Sequence, residues 1–196
     1  DGVWGTLSLM DHGNFNNDGN TPPNFNALEL ELLGLGRKED LALGSWTLKP
    51  ISEEKRFFRA NSDTSGEYWL FECRDKSGWD KYIGGSGMLI YHIDRSKRNT
   101  GYSTTYERDL TAEMRWIYNE INCRPSHQCV DLIECVPSTK SVSQVFWPSG
   151  TRTSFTKDTT PAFKHWSGKS PEFSILNIKR VDNSVSFSVA GPISIN

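Results

Sequence analysis

The chain has no apolar run approaching the roughly 20 residues that a membrane-spanning helix requires, no Cys-x-x-Cys spacing, no internal repeat and no low-complexity tract. The first absence argues against a membrane-spanning helix, and the second against a structural zinc knuckle. No strong excess of one charge is present either: the net charge is −2 and the 22 Lys and Arg are spread along 196 residues. Neither a phosphate-tracking groove nor a polybasic membrane patch is expected, so no nucleic-acid partner is assigned. The Gly-x-Ser-x-Gly elbow of serine hydrolases is missing, because Gly84-Gly85-Ser86-Gly87-Met88 lacks the final Gly. An initiator Met and a signal sequence are lacking too, and a trimmed or processed chain is the expectation.

What is present is a turn-rich chain with 36% hydrophobic residues, enough for one sizeable core. Residues 1–25, rich in Gly, Asn and Pro, read as an irregular loop. Asn26 then caps a helix predicted over 27–35, with Leu28, Leu32 and Leu35 on its apolar face, Glu29 and Glu31 turned elsewhere, and Gly34 and Gly36 at its end. Beyond it, short apolar runs bounded by turn residues predict strands at 46–50, 56–60, 67–73, 87–93, 130–135, 173–179 and 184–189. Met88-Leu89-Ile90-Tyr91-His92-Ile93-Asp94 is apolar enough for a strand covered on both faces at the sheet's centre. Residues 95–110 read as an exposed charged loop and 111–119 as a short helix. The last 25 residues form a predicted hairpin about Asp182-Asn183. The expected class is α+β, mainly β: an antiparallel β-rich region (41–196) packed with the opening loop and helix (1–40) as one compact unit.

Four cysteines allow two disulfides without demanding them. Cys123 and Cys129 bracket a short loop that a bridge could close, which would indicate an oxidising compartment. Cys73 and Cys135 end apolar runs and read as small core residues. His92 and Asp94 share strand parity, hence one sheet face, where a His–carboxylate pair could steady a loop. Trp79, Trp147 and Trp166 lie beside Gly, Pro or Ser in turn-like segments, as loop staples or as stacking surfaces for a sugar or peptide.

The opening stretch Ser8-Leu9-Met10-Asp11-His12-Gly13, with Asn16 and Pro22-Pro23 after it, resembles the Met-turn of metzincin-type peptidases, in particular the secreted immune inhibitor A-like family. Further landmarks of that family follow in order: Glu67-Tyr68-Trp69-Leu70-Phe71-Glu72, Gly78-Trp79-Asp80, Gly87 to Asp94, Val130 to Glu134, and Trp147-Pro148-Ser149-Gly150. A zincin also needs His-Glu-x-x-His, two ligands one helical turn apart with a Glu between them. None of His12, His92, His127 and His165 fits that spacing. The resemblance therefore implies the C-terminal part of a secreted zinc endopeptidase, inactive alone, with zinc held by an N-terminal partner segment and a peptide or protein as substrate.

Under that resemblance Met10 is the apolar floor beneath the metal. His12 stands where several metzincins carry a Tyr, as an oxyanion or metal partner. Asn16, Asp18 and Asn20 form a short oxygen-rich series that a calcium ion could use, although such residues also build turns by themselves. The alternative function is a non-catalytic β-rich module, derived from the peptidase scaffold, that binds a glycan or protein through aromatic loops.

Overall fold

In a computed structural model, which describes residues 4–191, the chain is an α+β protein dominated by antiparallel strands. A five-stranded main sheet is built from β1 (Arg37–Asp40), β3 (Arg56–Asn61), β4 (Glu67–Arg74), β5 (Gly87–Asp94) and β8 (Val130–Leu132), ordered β1-β3-β4-β5-β8. Only β1 against β3 runs parallel in this sheet. A second sheet has the order β2-β10-β9, from β2 (Gly44–Leu48), β9 (Ser174–Val181) and β10 (Ser184–Ala190), and β6 (Asn99–Ser103) pairs with β7 (Arg108–Thr111) as a hairpin.

Every residue of β4 and β5 is buried, as strands covered on both faces must be. Alternation divides their side chains. Leu70, Leu89, Tyr91 and Ile93 pack under the opening segment and α1 (Ala27–Leu32), whereas Trp69, Phe71, Met88 and Ile90 face Ile175, Val185 and Phe187 of the second sheet. The main sheet is thus the middle layer. The two-sided reading of 87–93 holds.

Several boundaries differ from expectation. The helix predicted over 27–35 stops at Leu32, and its buried residues are Ala27, Leu28, Glu29 and Leu30, while Leu32 and Leu35 are exposed. Glu29, expected on the outer face, is buried because the capping box draws it back to Asn26. The charged stretch 95–110 contains the β6–β7 hairpin, whose polar strands carry little apolar alternation although Thr100, Ser103 and Leu110 are buried. A four-residue helix, α2 (Ile51–Glu54), joins β2 to β3, and α3 (Ala112–Ile117) lies within the predicted 111–119.

The terminal hairpin turns at Asp182-Asn183 as predicted, with Asp182 left-handed at φ 54°. Ile175 and Ile178 are both fully buried although three positions apart, which strict alternation forbids. Asn177, at φ 54° opposite the register shift between Ser186 and Ser188, absorbs the extra residue as a β-bulge.

Candidate functional site: the Met10 turn and its cleft

The opening loop is a sequence of tight turns, yet a set of interior hydrogen bonds holds it. The Ser8 carbonyl accepts from the amides of Asp11 (3.3 Å) and Gly13 (2.9 Å), and the Ser8 hydroxyl accepts from the Met10 amide at 3.1 Å. A Cβ on Gly13 would stand 2.3 Å from the Ser8 oxygen, so only glycine fits. Asp11 Oδ2 folds back to accept from the amides of Trp4 and Gly5 at 3.0 and 2.8 Å.

Glu29 ties the turn to the helix. Its Oε1 accepts from the Ser8 hydroxyl at 2.7 Å while its Oε2 accepts from the Asn26 amide at 2.8 Å. Below, Arg74 anchors the whole segment to the sheet. Its Nε and Nη2 grip Asp80 at 2.8 and 2.5 Å, Nη1 reaches Glu72 at 3.2 Å, and the two Nη atoms donate to the carbonyls of Leu7 and Asn24 at 3.4 and 3.2 Å. Burial alone would favour the neutral guanidine, but Glu72 and Asp80 outweigh it and keep Arg74 charged. Glu72 also accepts from the Ala27 amide and the Tyr91 hydroxyl, both at 2.5 Å.

The outcome is a rigid turn that holds one apolar side chain in solvent. Met10 is 83% exposed and lines a cleft of about 410 Å³ with Trp4, Leu28, Leu32, Trp116 and Ile121. Trp4 forms its inner wall and stacks on Tyr91 at 4.4 Å. Leu33, Leu35, Phe15 and Ile117 are also exposed on the molecule's surface.

The remaining sequence candidates fall elsewhere. His12 is exposed, 3.9 Å from Asp11 Oδ1, and is not among the cleft residues. Asn16 is buried and donates its amide to the Thr6 carbonyl at 3.0 Å, while the Asn20 amide donates to Asn17 at 3.0 Å. Asn17 and Asp18 both adopt positive φ, at 52° and 55°, and Asp18 is exposed. Asn16 and Asn20 thus spend their side-chain amide groups on the loop's own turns. Among the described residues no three His, Cys, Asp or Glu gather as a metal-binding set.

The Cys123–Cys129 bridge expected as one option does not form: all four cysteines are free, with Cys129 buried and Cys123 exposed. Asn122 closes that loop instead, donating to the Val130 carbonyl at 2.7 Å and accepting from its amide at 3.0 Å. Cys73 and Cys135 are buried, and burial pushes their thiols up to about 12 and about 11, so they are inert core groups.

His92 and Asp94 do share a face, but each has another partner. His92 Nε2 lies 2.9 Å from Glu67 Oε1, and His127 Nε2 lies 2.7 Å from Asp94 Oδ2. Trp166 is inserted between the two imidazoles, its ring 3.9 Å from that of His127 and 5.5 Å from that of His92, which in turn stacks on Trp69 at 4.4 Å. Burial would raise Glu67, but the hydrogen bonds from His92 and the Trp166 amide outweigh it and hold the carboxyl below the ordinary range. His127 and Trp166 reach this column from loops, so no periodicity in the sequence marks them. Glu67 could have been found, since it has the parity of Trp69 and lies opposite Asp94 in the register. Trp147 is fully buried and Trp166 is occupied by the stack, which leaves Trp79 as the exposed member of the three.

Geometry and topology define a mainly-β α+β protein with a rigid Met-bearing turn over an apolar cleft. No described helix is long and apolar enough to cross a membrane. Comparison of the chain with protein-family models, curated proteins and solved structures finds no match in any of the three.

Proposed function

We propose that this chain is the C-terminal part of a secreted, zinc-dependent endopeptidase of the immune inhibitor A-like type, in which the Met10 turn is the floor of the active centre. The carrying observation is Met10 itself: a long apolar side chain 83% exposed on a turn locked by the buried Ser8–Glu29 hydrogen bond, at the mouth of an apolar cleft. Met10 and the exposed Leu32 extend the apolar wall of the cleft to the surface, and a contiguous apolar surface of this kind is what an interaction site presents. The zinc ligands and the acid–base Glu belong, on this reading, to an N-terminal segment that docks over the cleft. This chain's described residues offer no zinc set of their own, so its part is to shape the floor and receive that segment.

The zinc would polarise the scissile carbonyl of a peptide or protein substrate. Met10 shapes the space beneath it, and His12, outside the cleft, takes no part in the reaction on this reading. Testing starts with the coding sequence upstream of Asp1, which should encode His-Glu-x-x-His. The longer protein should then retain zinc and cleave casein. Met10→Ser should lower the zinc content or the cleavage rate several-fold with the fold intact, while His12→Ala leaves both near the parent values. An upstream segment without both ligands would sink the peptidase reading.

A further inference from the structure

Away from the Met10 cleft, the turn at residues 62–66 and the segment after β5 border an open cavity of about 620 Å³ lined by Thr64, Ser65, Gly66, Arg95, Ser96, Lys97 and Arg98, with Glu113 as its acidic member. The two turns are in contact at Gly66. Its φ is +90°, and a Cβ there would meet the Arg95 carbonyl oxygen at 2.8 Å. The Arg95 amide donates to the Gly66 carbonyl at 2.8 Å, which fixes the cavity's two sides to each other.

Its cations are under-used. Among the described residues, neither Arg95 nor Lys97 lies within 4.0 Å of a carboxylate, and Arg95 rests over the Trp116 ring at 4.9 Å. Arg98 has five N–H donors, yet its side chain makes one hydrogen bond, 3.3 Å to the Thr64 hydroxyl. Its Nε is buried without an acceptor, and its nearest carboxylate oxygen, Glu67 Oε2, lies 3.7 Å away. Glu67 is already committed through its other oxygen to His92 and the Trp166 amide. Arg95, Lys97 and Arg98 therefore line one cavity together with Thr64, Ser65 and Ser96, with Glu113 as the acidic residue of the lining and the Thr64 hydroxyl donating to Asp63 beside it at 3.3 Å.

We propose that this cavity binds a doubly charged tetrahedral oxyanion, a phosphate or sulfate ester. A divalent group with several acceptor oxygens matches the three cations and the hydroxyls better than a single carboxylate does. The volume is in the range of about 300–1,000 Å³ typical of small-ligand sites, larger than a bare ion needs, so the anion is the charged end of a larger molecule. The assignment is independent of the peptidase reading and of any segment beyond this chain.

The test is calorimetric titration of the 196-residue chain with inorganic phosphate and with sulfate, against chloride at matched ionic strength. Two further arms, phosphoserine and a 6-sulfated monosaccharide, separate the two ester sources. Saturable binding is expected, with a dissociation constant around the millimolar level for the bare ions and tighter for one ester. The Arg95→Gln/Lys97→Gln variant, both residues being exposed and free of ion pairs, should keep its melting temperature and lose about tenfold in affinity. Absence of saturable binding for all four probes, or unchanged affinity in the folded variant, would overturn the proposal.

Discussion

At the scale of single residues, burial and hydrogen bonding set the behaviour of charged groups that sequence parity alone describes poorly. Asp131 lies opposite His92 in the pairing of β5 with β8, and burial lifts its carboxyl from 3.8 to about 6, with His92 partly opposing and Glu134 reinforcing the rise. The folded state thus binds this proton more tightly than the unfolded chain. The stability that the protonated form confers is complete below about pH 4 and is lost as pH rises through about 6. The full shift corresponds to at most roughly 3 kcal/mol, and partial contact with solvent reduces this to about 1–2 kcal/mol. Asp131→Asn should therefore stabilise the protein at pH 7 and change little at pH 4, as urea unfolding at the two pH values would measure. Glu67 and Asp94, held below their ordinary values by His92 and His127 against the effect of burial, act in the opposite sense: their stabilisation is present above the usual carboxylate range and lost on acidification. Gly13 is decided by space rather than charge. Gly13→Ala pushes a methyl group against the Ser8 carbonyl and Pro23, and should cost about 1–3 kcal/mol. Its expected signature is faster proteolysis within residues 5–25.

Elements in this protein end where side chains make them end. The capping box at Asn26 and Glu29 starts α1, and the same Glu29 oxygen that receives the Ser8 hydroxyl binds the helix to the Met10 turn. One residue therefore serves two elements. Glu29→Ala should cost about 1–3 kcal/mol, more than an N-cap loss alone, because it leaves the buried Ser8 hydroxyl without its acceptor. Hydrogen exchange of the Met10 and Asn26 amides should accelerate together, whereas independent responses would show that the two elements are not linked. Much of this level was legible: Asn26 as a cap, the strands at 67–73 and 87–93, and the turn at Asp182-Asn183 all lie where local chemistry puts them. The β6–β7 hairpin was not, since its strands are short and polar, and two of the three residues they bury, Thr100 and Ser103, are themselves polar. The bulge at Asn177 was hidden for a related reason, because only pairing with β10 shows that two residues oppose one.

For the whole molecule, the decisive arrangement is the main sheet as a middle layer, with the opening segment on one face and the second sheet on the other. Arg74 joins the opening segment to the main sheet through Asp80, Glu72 and the carbonyls of Leu7 and Asn24, with the guanidinium and both carboxylates out of contact with water. Arg74→Met removes one charge and leaves two buried carboxylates, and should cost about 3–5 kcal/mol. If the guanidinium pins the opening segment, that segment should become protease-sensitive at denaturant concentrations where the second sheet is still folded. A single cooperative loss of both layers would show that Arg74 supports the core as a whole.

The amino-acid order by itself determined the mainly-β class, the central two-sided strand, the helix cap and the turn at Asp182-Asn183, because each is written in residues within a few positions of one another. Only the tertiary structure decided that Leu32 and Leu35 stay in solvent, that Cys123 and Cys129 remain thiols, and that His92 and Asp94 take separate partners. Only it gathered Arg95, Lys97 and Arg98 against the turn at Gly66. Burial and pairing between distant segments set those outcomes, through the cost of desolvating a charge and the space that packing leaves, and neither quantity exists until the layers have closed.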